Sequence, residues 1–346
     1  MQRAAIVYAL ASAALFGAST PLAKLLIADA APLVVAGLLY LGSGVGLLAW
    51  LLLRTPSARS KLSGADLPWL AAAIVLGGIA GPALLMHGLA RTEGATASLL
   101  LNLEAVFTAC LAWLVFRENV DRRVLAGMAA IVAGGVVLGW AELPRAGGLT
   151  GPALIAAACL AWALDNNLTR RVAGGDAVTI ACAKGLVAGG ANLALGLYQG
   201  AALPGASAVA FAGAVGLFGY GISLVLFVVA LRHLGTARTG AYFSVAPFFG
   251  AVLALLLLNE SPSAAFWIAG ALMAAGVWLH VTERHEHQHF HERMAHTHEH
   301  VHDEHHRHEH APGWDGHEPH SHEHQHAAMR HSHPHYPDLH HRHAHH

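Results

Sequence analysis

The sequence predicts an all-α membrane protein: ten transmembrane helices as two inverted five-helix repeats, followed by a disordered tail. Three observations predict it. Apolar residues make up 55% of the 346-residue chain and charged residues only 12%, far from an ordinary soluble domain. Apolar stretches of about 20 residues, the length that crosses a hydrocarbon core of about 30 Å, recur through residues 4–282. The last 63 residues, Arg284 to His346, hold 25 of the 28 histidines and almost no large apolar residues, so they cannot bury a core.

The predicted spans cover approximately residues 4–25, 31–53, 68–89, 95–116, 123–140, 151–171, 177–198, 206–231, 236–258 and 264–282. The first is too long, and too well followed by others, to be a cleaved signal peptide. Lysine and arginine divide the connections into two sets. One holds Arg3, then Arg54, Arg59 and Lys61, then Arg117, Arg122 and Arg123, then Arg170 and Arg171, then Arg232 and Arg238. The alternate set holds Lys24, Arg91 and Arg145. Basic loops stay in the cytoplasm, so both termini are expected there. Arginine outnumbers lysine, and alanine and glycine abound, the bias of a GC-rich bacterial genome. The expected location is thus a bacterial cytoplasmic membrane. The formal net charge of −1 averages a basic-leaning body against an acidic tail. Cys110, Cys159 and Cys182 lie within spans and suggest no disulfide framework.

The body repeats itself. Arg91 to Gly94, then Ala97 to Val106 and the run to Arg117 and Glu118, matches Arg232 to Gly235, then Thr239 to Phe248 and the run to Asn259 and Glu260. Phe16 to Lys24 aligns with Trp162 to Arg170, and Ala126, Gly127 and Gly134 are answered by Ala269, Gly270 and Gly276. The expected units are residues 1–141, residues 150–283 and the tail 284–346. Five spans per half is an odd number, which forces the halves into opposite orientation. That is the inverted repeat of many secondary transporters, with the substrate near the midplane. In these features the chain resembles the EamA-type permeases of the drug/metabolite transporter superfamily, over about residues 4–282. The resemblance implies a cytoplasmic-membrane carrier, often an exporter, of amino acids, metabolites or drugs. It supplies no ligand signature to place on these residues.

Polar groups inside a span need a reason. Asp165, Asn166 and Asn167 lie about two-thirds through the sixth span. Three consecutive polar residues cover about 200° of a helix, so at least one faces protein or water. Either Asp165 forms a cation or proton site with amide carbonyls, or it pairs with Lys184 at comparable depth in the seventh span. Glu104, near the middle of the fourth span, is either a proton or cation acceptor or a helix-packing hydrogen bonder; its repeat counterpart is Ala246. His87 is either a metal ligand or gate near the outer end of the third span, or a structural hydrogen bonder. Ser19, Thr20 and Pro21 interrupt the first span, as a flexible cavity-lining kink or a fixed bend. Gly77 with Gly81, and Gly135 with Gly139, have the spacing of close helix packing, and a homodimer stays open. Lys24, Arg170 and Arg171 are expected to snorkel to the interface.

The tail is a candidate metal binder. Its candidate ligands begin with His285, His287, His289, His291, His296, His298, His300, His302, His305, His306, His308 and His310. They continue with His320, His322, His324, His326, His331, His333, His335, His340, His341 and His343. Spacing of i, i+2 puts neighbouring imidazoles on one side of an extended chain. Imidazole with interleaved carboxylates such as Glu286, Glu299, Asp303 and Glu323 suits Ni, Co, Zn or Cu better than Mg or Ca.

The chain has no G-x-S-x-G, P-loop, CxxC or H-E-x-x-H motif, so no enzyme is expected and no cofactor is required. The acidic tail speaks against a nucleic-acid partner. The expected partners are the lipid bilayer and a small-molecule or ion substrate. The leading expectation is a secondary carrier that exports a small solute and carries a metal-binding tail. A metabolite exporter with an incidental tail, and a non-transporting metal sensor, stay open.

Overall fold

Apolar sequence becomes helix where the backbone must satisfy its own hydrogen bonds. Helix occupies all ten predicted spans in a computed structural model, which describes residues 2–53, 64–116, 122–143, 148–172, 176–234, 236–282, 286–291, 294–300, 320–326 and 329–334. Two units are resolved, Met1–Glu283 and Arg284–His346.

In the first unit, α1 is Gln2–Ile27, α2 Pro32–Leu53 and α3 Leu67–Leu89. α4 is divided into α4a, Gly94–Leu100, and α4b, Leu103–Phe116. α5 is Arg122–Glu142, α6 Thr150–Val172 and α7 Ala177–Tyr198. α8 runs as Ala206–Gly216, a π-helical turn Leu217–Ile222, and Ser223–Leu234. α9 is divided into α9a, Thr236–Phe243, and α9b, Ala246–Leu257, and α10 is Ala264–Val281. Among the described residues, seven segments have the length and mean hydropathy to cross a membrane: α1, α2, α3, α4 to Leu111, α5, α7 and α8 to Ala230. α6 is made too polar by Asp165, Asn166 and Asn167. α9b is only Ala246–Leu257, and the apolar run of α10 is Ala264–Leu279.

Local signals explain the boundaries. Asp176 caps α7, its Oδ2 accepting the Thr179 N–H at 3.3 Å and the Thr179 hydroxyl at 2.8 Å. Asn259, in the left-handed region at φ 51°, turns the chain after α9b. Ser263 Oγ accepts the Phe266 N–H at the start of α10.

Two expectations are corrected here. α1 runs unbroken through Pro21, with Ser19 Oγ donating to the Phe16 carbonyl at 2.6 Å. The interruptions fall instead in α3, where Ile74–Ala80 is π-helical, and at the equivalent place in α8. In both, glycines (Gly77 and Gly78; Gly219 and Gly221) remove the side chains that would crowd a wider turn. α4, expected to be continuous, breaks at Leu101 and Asn102, where Asn102 Nδ2 turns back to the Leu99 carbonyl at 2.9 Å.

The packing has a five-helix rhythm. α2 lies along α7 and α5 along α10; α1 packs on α8 and α9b, and α6 packs on α3 and α4b. Exchanging each helix for the one five places on maps this set of contacts onto itself: α1 on α8 and α9b becomes α6 on α3 and α4b, and the α2–α7 and α5–α10 pairs are unchanged. Small residues allow the approach: a Cβ on Gly185 would stand 2.7 Å from Gly44, and one on Gly276 2.6 Å from the Gly127 carbonyl. The largest buried side chains, among them Leu39, Leu85, Met86, Leu99, Ile155 and Met273, come from both halves. Trp50, Leu53, Trp140, Leu256, Trp267 and Trp278 lie outside and exposed, an apolar exterior suited to lipid.

In the second unit the described residues form short strands. β1, Glu286–His291, pairs antiparallel with β4, Met329–Pro334; β2, Met294–His300, pairs antiparallel with β3, His320–His326. The i, i+2 histidine pattern has the strand period of two, which is compatible with such pairing.

Candidate transport site

The polar residues collect on α6. Lys184 of α7 donates to Asp165 Oδ1 at 2.7 Å and Oδ2 at 2.6 Å, and Thr169 Oγ1, one turn along α6, donates to Oδ1 at 2.8 Å. The carboxylate has room because α3 presents Gly77, where a Cβ would collide with it. The π-helical turn leaves carbonyls available to side chains. Gly77 O accepts the Tyr40 hydroxyl at 3.1 Å and the Trp162 indole N–H at 2.9 Å, and Gly78 O accepts Asn192 Nδ2 at 3.1 Å. Of the two readings of Asp165, the geometry is that of the ion pair.

Asn166 leaves the other shoulder of α6. Its Nδ2 donates to Glu104 Oε1 at 2.8 Å. Glu104 stands in the first turn of α4b rather than at mid-helix, because α4 breaks just before it. Glu104 is half-buried and Asn166 exposed, yet Cys159, Trp162 and Ala163 on the same face of α6 are buried. Rings line the region around the π-helical turns: Tyr40 and Tyr220 lie 5.3 Å apart between centroids, Phe16 and Tyr220 5.8 Å, and Phe16 and Phe243 5.4 Å. Glu104 has an amide for its partner, whereas the Lys184 ammonium is committed to Asp165. A half-buried carboxylate with a neutral partner can accept a proton or a cationic group.

Other predicted residues stay apart from this pair. Asn167 Nδ2 bonds the Ala163 carbonyl of its own helix at 2.8 Å. His87 Nδ1 donates to the Ala83 carbonyl at 2.8 Å and lines a surface groove with Arg91, Thr150 and Leu154. Ser19 and Thr20 are buried. Lys24, expected to snorkel, turns inward to the Leu89 carbonyl at 2.5 Å and the Thr92 carbonyl at 2.9 Å. Among the described residues no group of three or more His, Cys, Asp or Glu is placed to hold a metal ion. Of the tail ligands, His285, His302, His305, His306, His308, His310, His335, His340, His341 and His343 lie outside the described residues. Sequence reasoning missed Tyr40, Trp162, Asn192 and Tyr220. An aromatic in an apolar span gives no signal, and Asn192 alone, in the middle of the seventh span, was a legible one.

Comparison with known proteins agrees with this architecture. The chain is 28% identical over 284 residues to an uncharacterized transporter of Methanothermobacter thermautotrophicus, covering 76% of this chain and 82% of that one. A solved crystal structure of a protein superposes with a TM-score of 0.59 at 19% identity, covering 82% of this chain and 98% of that one, a likeness of fold alone. A model of the EamA-like transporter family matches twice, at residues 3–140 and 149–282. The double match meets the same two halves as the repeat and the five-helix packing rhythm: the chain is a multi-pass membrane transporter belonging to the EamA-like transporter family.

Proposed function

We propose that this transporter is a secondary carrier in a bacterial cytoplasmic membrane, with two inverted five-helix halves that alternate access. It exports a small solute against an inward flow of protons. Glu104 is the group that takes up the proton or the cationic end of the solute, with Asn166 holding it in the unloaded state. The observation that carries this reading is the Glu104–Asn166 pair itself, a half-buried acid whose hydrogen-bond partner is a neutral amide. The Asp165–Lys184 pair, fully bonded against α3, holds α6 and α7 together beside it. The histidine tail binds Ni, Co or Zn on the cytoplasmic side and links the carrier to metal handling.

The test is solute-elicited proton flux. Wild type and Glu104→Gln are reconstituted in vesicles with an entrapped pH dye and offered amino acids, organic amines, and Ni, Co and Zn salts. The expected result is a wild-type signal for one class and its loss in Glu104→Gln, at an unchanged detergent melting temperature. Retained flux in the variant would remove Glu104 from the site. A folded wild type that moves no member of the panel would count against the coupled-carrier reading.

A further inference from the structure

We infer that the described conformation is sealed at one end and open at the other, and that Glu260 is the latch of the sealed end. The inference rests on the carrier reading above and names the residue that controls one of its two gates. The turn at Asn259 carries Glu260 back from the end of α9b onto the first turn of α4a. Its Oε1 accepts the Gly94 N–H at 2.6 Å and its Oε2 the Ala95 N–H at 2.8 Å. This two-pronged, charge-assisted contact joins the second half to the first across 166 residues. Lys24 ties the end of α1 to the end of α3 in the same place, and with Glu260, Arg91, Thr92, Glu93 and Glu142 it lines one shallow polar cavity.

Beneath the latch lies a tight seam. Gly17 of α1 meets the Ala246 carbonyl so closely that no Cβ fits, and a Cβ on Gly250 would stand 2.7 Å from the Gly17 carbonyl and 2.9 Å from Ser98 Oγ. α1, α4a and α9b therefore leave no passage. The opposite end is built differently. The counterpart of the α4a–α9b contact is α9a on α4b. Among the described residues α9a packs on α1, α8 and α10 but makes no comparable contact with α4b. Gly240, which stands where the repeat has Ser98, faces open space. Asn166 is exposed. Opening the sealed end must separate Glu260 from Gly94 and Ala95.

Thiol labelling tests this without a known solute. Cys110, Cys159 and Cys182 are first changed to Ala, and a membrane-impermeant maleimide is applied to right-side-out and inside-out vesicles. Ser261→Cys reports which side the latch faces. Ser98→Cys, in the seam, should be protected from that side, and Asn166→Cys should label from the opposite one. Adding Glu260→Gln should speed labelling of Ser98→Cys from the latch side about tenfold, the population shift expected from weakening one charge-assisted contact. An unchanged rate, in a protein that melts normally, overturns the latch. Protection of Asn166→Cys from both sides overturns the open end, and needs no change at Glu260. Because labelling requires no transport, a failed flux assay and a failed latch remain distinct results.

Discussion

Asp165 and Lys184 show how a charge is kept within an apolar bundle. The side chains retain 8% and 17% exposure, and each is tolerable because the other is there. Removing one partner leaves the other unpaired, which costs about 3–5 kcal/mol in a buried pair. Asp165→Asn and Lys184→Met should each lower the melting temperature in detergent, and the double change should recover much of the loss. Simple additivity of the two single effects would dissolve the pair as an energetic unit. Gly77 belongs to the same account: it is small because Asp165 occupies the space a Cβ would need. Glu104 differs, since it is half-buried and its partner is an amide.

At the scale of elements, the two π-helical turns occupy corresponding places in α3 and α8 but are held differently. In α3 the available carbonyls take three side-chain donors, Tyr40, Trp162 and Asn192. In α8 the turn packs Gly219 against Ser19 and places Tyr220 among Phe16 and Tyr40. The tail strands follow a different rule, a period of two. Their register sets His296 opposite His324, His298 opposite His322 and His300 opposite His320. Histidine titrates near pH 6.5, so at neutral pH most of these side chains are free to ligate. A peptide of residues 284–346 should bind several Ni, Zn or Cu ions and far less Mg or Ca by titration calorimetry. Binding should collapse below about pH 5.5, where protons outcompete the metal. Equal affinity for Mg would remove the tail's proposed role.

For the whole molecule, the lysine and arginine asymmetry is the basis of the proposed orientation, with both termini in the cytoplasm. Alkaline phosphatase, active only outside the cytoplasm, fused after His280 should be inactive, and the same fusion after Arg91 should be active. High activity after His280 would reverse the orientation, placing the tail outside and the Glu260 latch inside.

The fold class was legible because it depends on sums. Mean apolarity over about 20 residues, and the resemblance of one half to the other, survive ignorance of any single contact. The ion pair was legible as one of two readings, since depth along two helices can be counted from the sequence. Its rival was settled only by Gly77, whose open face lets the carboxylate stand beside Lys184. The π-helical turns, the break before Glu104 and the inward turn of Lys24 were not legible. Each depends on which carbonyl or amide a neighbouring helix supplies. Glu260 was visible in the sequence as the end of a repeat, but its role as the link between halves was not. The composition and repeat of this chain determined that it is a helical, two-part membrane protein with a histidine-rich tail. The tertiary structure decided that Asp165 pairs with Lys184 while Glu104 takes an amide partner, and that Glu260 bonds the first turn of α4a. A hydrogen bond between residues 166 positions apart depends on angstrom-scale helix packing, which no local pattern encodes.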